Sequence, residues 1–266
     1  MSSSPLVGSI AVRRRVALVA GLWLPLLAYA APDAQAVLAE SDAVRNPSRP
    51  YSVTVTLIEY RNSKHIDSST LTVYAKADSA NGQYRSLVRF AAPQRDAGKL
   101  LLKNGNDLWF YDPSSQASIR LSPQQRLLGQ ASNGDVVTVN LAKDYRAELQ
   151  GEEDLADGER VIRRCYKLGL TAASPDVTYH RIEMWVDAAS SRPVKARFFA
   201  EGGHLLKTAY YRKFQNQLGR ERPTEVVIID GLDPAWVTVM RYADHAWRDV
   251  PDAWLQRDFL PRFKPE

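Results

Sequence analysis

The sequence predicts a mostly β protein, built as a single antiparallel sheet that is strongly curved or nearly closed. Three observations carry this. From Tyr51 onward, apolar residues recur at every second position through most of the chain. Turn pairs such as Asn81-Gly82, Asn104-Gly105, Asp157-Gly158, Gly202-Gly203 and Asp230-Gly231 separate those runs. No strand–helix–strand rhythm interrupts them, which argues against a parallel α/β sheet.

The first 30 residues read as an address rather than as part of the fold. Arg13, Arg14 and Arg15 precede the largely apolar run from Val16 to Ala30, which contains Pro25 and ends Ala28-Tyr29-Ala30. That is the three-part pattern of a cleaved secretory signal, too short and too broken for a transmembrane anchor. No cysteine follows it, so no lipid anchor is expected there. Residues 31–266 are then a single exported β domain.

A short helix opens that domain. Asp33 can cap it, Val37, Leu38 and Val44 fall on one side, and Asn46-Pro47 ends it. Strands follow in which Val53, Val55 and Leu57, then Leu71, Val73 and Ala75, then Tyr84, Val88 and Phe90 mark one face. The stretch Gly98–Leu121 holds three short strands and two tight turns, Asn104-Gly105-Asn106 and Asp112-Pro113-Ser114-Ser115. Its middle strand, Leu108-Trp109-Phe110-Tyr111, is apolar on both faces. One face therefore meets the core and the other meets something else apolar, where a functional site is sought.

Two stretches break the pattern. Ser122-Pro123 can start a helix carrying Leu127 and Leu128, and Val136–Lys143 can form a second short helix despite its β-branched residues. Further strands are expected from Tyr145 to Tyr242, with the alternation clearest where Val194, Ala196, Phe198 and Ala200 oppose Lys195, Arg197 and Glu201. The tail, Asp249–Phe259, is expected as a helix that Pro261 stops.

Composition narrows the function. The formal charge of +5 falls to +2 once Arg13, Arg14 and Arg15 are removed, so a nucleic-acid partner has no support. Cys165 is the only cysteine, which excludes an internal disulfide and argues against a thiolate metal site. His65, His180, His204 and His245 stand far apart, outside any metal-ligand spacing, and no nucleophile elbow or phosphate-binding glycine loop is present. Asp230 and Asp233 are the one carboxylate pair that a hydrolase could use; flanked by strands, they read first as turn residues.

The order of these elements, with Trp109, Tyr111 and Pro113 as a WxYxP element, resembles the periplasmic lipoprotein carrier family and its outer-membrane lipoprotein-sorting relatives. The resemblance runs from about Val37 to Phe263. It implies an unclosed β-barrel with short helices as a lid, no enzymatic activity, no cofactor, and a role in holding acyl chains for transfer toward the outer membrane. Where many relatives carry Met-Gly-Ser, this chain has Leu128-Gly129-Gln130-Ala131-Ser132, which weighs toward acyl binding rather than lipoprotein carriage in particular. The expected ligands are lipid or lipoprotein acyl chains, with an inner-membrane transporter as a partner. The expected lining is Leu57, Val73, Val88, Phe90, Tyr111, Met184, Phe198, Trp236 and Met240, with Leu127 and Leu128 on the lid. The competing reading is a non-enzymatic β domain whose apolar groove docks a partner's peptide or helix.

Overall fold

The computed structural model describes residues 31–264, along with Met1 and Ser4. The expected signal segment lies outside the described residues. Residues 32–266 cluster as one compact unit.

Helix α1 (Ala34–Arg45) opens the domain, capped by the Asp33 carboxylate, which accepts from the Gln35 N–H at 2.9 Å. Six strands then form a meander: β1 (Tyr51–Arg61), β2 (Lys64–Ala77), β3 (Tyr84–Ala92), β4 (Leu100–Asn104), β5 (Asp107–Asp112) and β6 (Ala117–Arg120). After an interruption, seven more follow: β9 (Tyr145–Ala156), β10 (Ile162–Ala172), β11 (Arg181–Asp187), β12 (Pro193–Phe199), β13 (Leu205–Gln217), β14 (Arg220–Asp230) and β15 (Trp236–Trp247). All pair antiparallel in one 13-stranded sheet, and β1 joins the two meanders by pairing with β15. The sheet is curved but not closed: β6 and β9 are its two edges. The expected fold class is therefore the observed one.

Strict alternation puts one set of side chains on the concave face. Val53, Val55, Leu57, Leu71, Val73, Val88, Phe90, Leu101, Met184, Ala196, Phe198 and Met240 belong to its core. The same two-residue period sends Tyr74, Leu87, Leu100, Leu102 and Tyr111 to the convex face of β2–β5.

The convex patch, the second apolar face of Leu108–Tyr111, is filled by the chain itself. Val250, Leu255 and Leu260 of the C-terminal tail are buried against it. Tyr74, Trp254 and Phe263 stack edge to face, with centroids 5.0–5.9 Å apart. The tail is not the expected helix. It forms two 3₁₀ segments, Asp252–Leu255 and Arg257–Arg262, the second containing Pro261. A tail that must follow a curved sheet gains more from apolar contact than from continuous helical bonds, and the prolines withhold donors.

The interruption, residues 121–144, also departs from expectation. Instead of a helix carrying Leu127 and Leu128, a small ribbon forms from β7 (Arg126–Leu128) and β8 (Ala131–Ser132). Gly129 makes its turn at φ +53, and a Cβ there would run into the Thr238 hydroxyl. Two single-turn helices follow, α2 (Asn133–Val136) and α3 (Leu141–Asp144), in place of one helix over Val136–Lys143. Val137, Thr138 and Val139 lie between them outside any helix, Val137 in extended backbone, as β-branched residues prefer. This segment leaves the sheet at β6 and rejoins it at β9, so it runs from one free edge to the other across the concave face.

Candidate functional site

Between that segment and the sheet lies a cavity of about 160 Å³. Its floor is Val53 and Val55 of β1, Val73 of β2, Phe198 of β12, Ala209 of β13, Val226 and Ile228 of β14, and Met240 of β15. Its roof is Gly134–Val139 with Leu141, and Arg45-Asn46-Pro47 close one side. Gly134 has no room for a side chain, because a Cβ would meet Thr178.

Among the described residues, no strand ladder ties residues 122–143 to the sheet; the one backbone bond between them is local, from the Tyr145 N–H at the start of β9 to the Leu141 carbonyl. Side chains hold the roof down instead. The Thr238 hydroxyl accepts from the Gln130 N–H at 2.8 Å, and the Ser86 hydroxyl accepts from the Thr138 N–H at 3.2 Å. The Tyr51 and Thr138 hydroxyls meet at 2.7 Å. Asp42 accepts from the Ala142 N–H at 2.7 Å. The deepest tie is a buried ion pair between Lys207 of β13 and Asp135 of α2. Lys207 is 3 % exposed and also donates to the Gln130 carbonyl at 2.9 Å; Tyr179 donates to Asp135 at 2.6 Å.

Opposite that pair, the cavity ends in Arg45, Arg222, His245, Tyr211 and Tyr242. The means by which His245 reaches it is local. Thr54 pairs with Ala243 but Ser52 with Ala246, so β15 carries an extra residue there, and Asp244 sits at φ 52. This bulge reverses the alternation and turns His245 to the face of Met240 and Tyr242. Burial and the Arg222 charge lower the His245 pKa to about 4. Burial raises the pKa of Tyr211 and of Tyr242.

Of the expected lining, Val73, Phe198 and Met240 face the cavity. Leu57, Val88, Phe90 and Met184 share its face but lie in the packed core beside it. Leu127 and Leu128 are half-buried against that core from the ribbon. Trp236 sits at the rim, donating to Glu59 at 2.6 Å, with Arg61 and Arg126 over its ring. Tyr111 does not belong: it faces the other way, under the tail. Sequence reasoning missed every polar lining residue. Asp135 stands in a short Asn-Gly-Asp stretch that carries no catalytic or binding motif, and the bulge that turns His245 inward has no strong sequence signature. The hydrolase reading has no geometry behind it, because Asp230 caps the N–H groups of Leu232 and Asp233, and Asp233 that of Ala235. Among the described residues, no cluster of His, Cys, Asp and Glu could hold a metal, and no helix is long and apolar enough to cross a membrane.

A protein family described only as "Uncharacterized protein" matches residues 82–262. No curated protein matches. Among solved structures, a LolA superfamily protein from Nitrosomonas europaea is 34% identical, covers 86% of this chain and 100% of its own, and superimposes with a TM-score of 0.77. A DUF1329 family protein from Desulfovibrio piger, 21% identical over 85% of this chain and 97% of its own, has a TM-score of 0.72. An outer membrane lipoprotein-sorting protein domain from Vibrio parahaemolyticus, 16% identical over 86% of this chain and 98% of its own, also reaches 0.72. The last two share the fold; the first, at its identity and full coverage, places the chain in a family. The curved open sheet, the roofed concave face and this likeness agree, and the chain belongs to the LolA superfamily.

Proposed function

We propose that this protein is a periplasmic, non-enzymatic carrier or chaperone that holds the acyl chains of a lipid or lipoprotein in its concave face for transfer toward the outer membrane. An inner-membrane transporter would supply the cargo. The observation that carries the reading is an apolar cavity roofed by a segment that, among the described residues, side chains rather than a strand ladder hold to the sheet. Size sharpens it. The cavity, about 160 Å³, is close to the roughly 150 Å³ that holds one benzene molecule, too little for a long acyl chain. Loading therefore requires the roof to lift. Each CH₂ then buried contributes about 0.8 kcal/mol, enough to offset the lost ties once several methylenes are covered.

A fluorescent fatty acyl probe should bind, and lipids should displace it. Phe198→Arg should abolish binding, because Phe198 lines the cavity and an unpaired ion there is costly. Lys195→Glu is the control, since Lys195 lies on the opposite face over Trp185 and Tyr210. Both variants are first checked by circular dichroism and a cooperative melt. A folded Phe198→Arg that binds like wild type, or a wild type that binds no probe, would move the partner-docking reading ahead.

A further inference from the structure

Acyl carriage alone explains the apolar middle of the cavity but not its Arg222 end. Arg222 is 4 % exposed. It donates from Nη1 to the Val44 carbonyl at 2.8 Å and the Ala43 carbonyl at 3.2 Å, and from Nε to the Gln217 carbonyl at 3.1 Å. Those bonds cap the C-terminus of α1, which is a structural role. Yet no carboxylate pairs with it among the described residues, and burial together with the Arg220 charge lowers its pKa. The other two cavity cations are neutralised, Lys207 by Asp135 and Arg45 by Asp42. His245 beside it is held neutral. The remaining carboxylate of the lining, Asp144, is bonded to Gln83, so Arg222 stands buried with no ion-pair partner among the described residues.

Two further donors or acceptors there are unspent. The Nε of Arg45 and the Nδ1 of His245 are buried and have no hydrogen-bond partner. Buried polar groups without partners are rare, and two beside an unpaired guanidinium at one end of an apolar cavity mark a place for a polar group from outside. Along β14, Arg222, Val226 and Ile228 all line the cavity. Six residues of strand span about 20 Å, so one strand offers a cationic start and an apolar run beyond it.

We infer that the cavity takes its cargo in one orientation, with an anionic head (a carboxylate or a phosphate) at Arg222, Arg45 and His245, and the acyl chain running toward Ile228 and Met240. The ligand class is then an anionic single-chain amphiphile rather than any apolar chain. This rests on the carrier reading and narrows it.

The test is a head-group series at constant chain length. Dodecanoate, dodecyl phosphate, monododecanoyl glycerol and dodecyltrimethylammonium, each below its micelle-forming concentration, would compete with a neutral-headed fluorescent acyl probe on the purified protein. The anionic pair should bind at least about tenfold more tightly than the neutral ester, as charge-assisted bonds to a buried guanidinium require, and the cation should bind worst. Arg222→Gln should bring the anions down to the ester's affinity and leave the ester unchanged. If that variant fails to fold for want of its helix cap, the wild-type order decides alone. Equal binding of anionic and neutral amphiphiles would overturn the head-group assignment and leave the carrier reading standing. Failure of all four to compete would remove both. Competition by inorganic phosphate alone, at concentrations matching dodecyl phosphate, would mean a free-anion site and would also overturn the proposal.

Discussion

Burial holds the His245 imidazole neutral, with its pKa lowered from 6.5 to about 4. An unfolded chain takes up a proton near pH 6.5 that the folded chain refuses until about pH 4, so this contribution is complete above that window and is lost as pH falls through it. Because the ring is partly exposed, the loss is well under the ~1.4 kcal/mol per pH unit of a fully shielded group. The melting temperature should therefore fall more steeply from pH 6.5 to 4.5 in wild type than in His245→Asn; equal slopes would show that the ring is not shielded. Cys165 is a second case of burial acting on one group. It has no exposed surface, packs against Trp185 and Val194, and has its thiol pushed up to about 11 by burial and by Asp187. Its neighbours along the same strand face, Arg163 and Lys167, are half-buried, so the thiol is the one fully covered group among them. The native thiol should resist alkylation at pH 8 and react once denaturant is added. Cys165→Ser should cost under about 2 kcal/mol, since a hydroxyl can keep the bond to the Arg163 carbonyl.

At the scale of elements, the roof was the least legible part. Its pieces are shorter than any periodicity can reveal, and their conformations answer to Lys207, Thr238, Ser86 and Asp42, partners far away in sequence. The strands were legible because each carries its own alternation, from Val53, Val55 and Leu57 to Ala196 and Phe198. Alternation cannot say which of two apolar faces holds the cavity, and Tyr111, expected in the lining, faces the tail instead. Lys207→Met should unfasten the roof. Stripping one partner from a buried pair costs about 3–5 kcal/mol when the other stays buried, and less here because Asp135 keeps its bonds from Tyr179 and the Ser132 N–H. Hydrogen exchange should then speed up across residues 122–143 while β13–β15 stay protected. Uniform acceleration would mean that the pair supports the whole fold. Gly129→Ala should act in the same direction, because its Cβ meets Thr238.

For the molecule as a whole, the tail makes the convex face of β2–β5 a second core. Removing residues 250–266 should expose Tyr74, Leu87, Leu100, Leu102 and Tyr111 together. At about 25 cal/mol per Å² of apolar surface, that loss is several kcal/mol, and dye binding and aggregation should both rise. A truncated chain that melts like the full one would make the tail an ornament. The sheet's open edges carry a different consequence. β6 and β9 are joined to each other only by the stretch of chain that roofs the concave face. The circuit is thus completed by covalent bonds where a true barrel would use a ladder, much as a cord gathers the mouth of a bag. Capacity then depends on the length of the cord and not on the number of staves. Residues inserted between 121 and 144 would widen the mouth without changing one wall side chain, and doubling a loop costs only about 0.6 kcal/mol in closure entropy. Under the carrier role proposed above, the size of cargo that fits would change by insertion and deletion alone, while Arg222, Arg45 and His245 stay where they are.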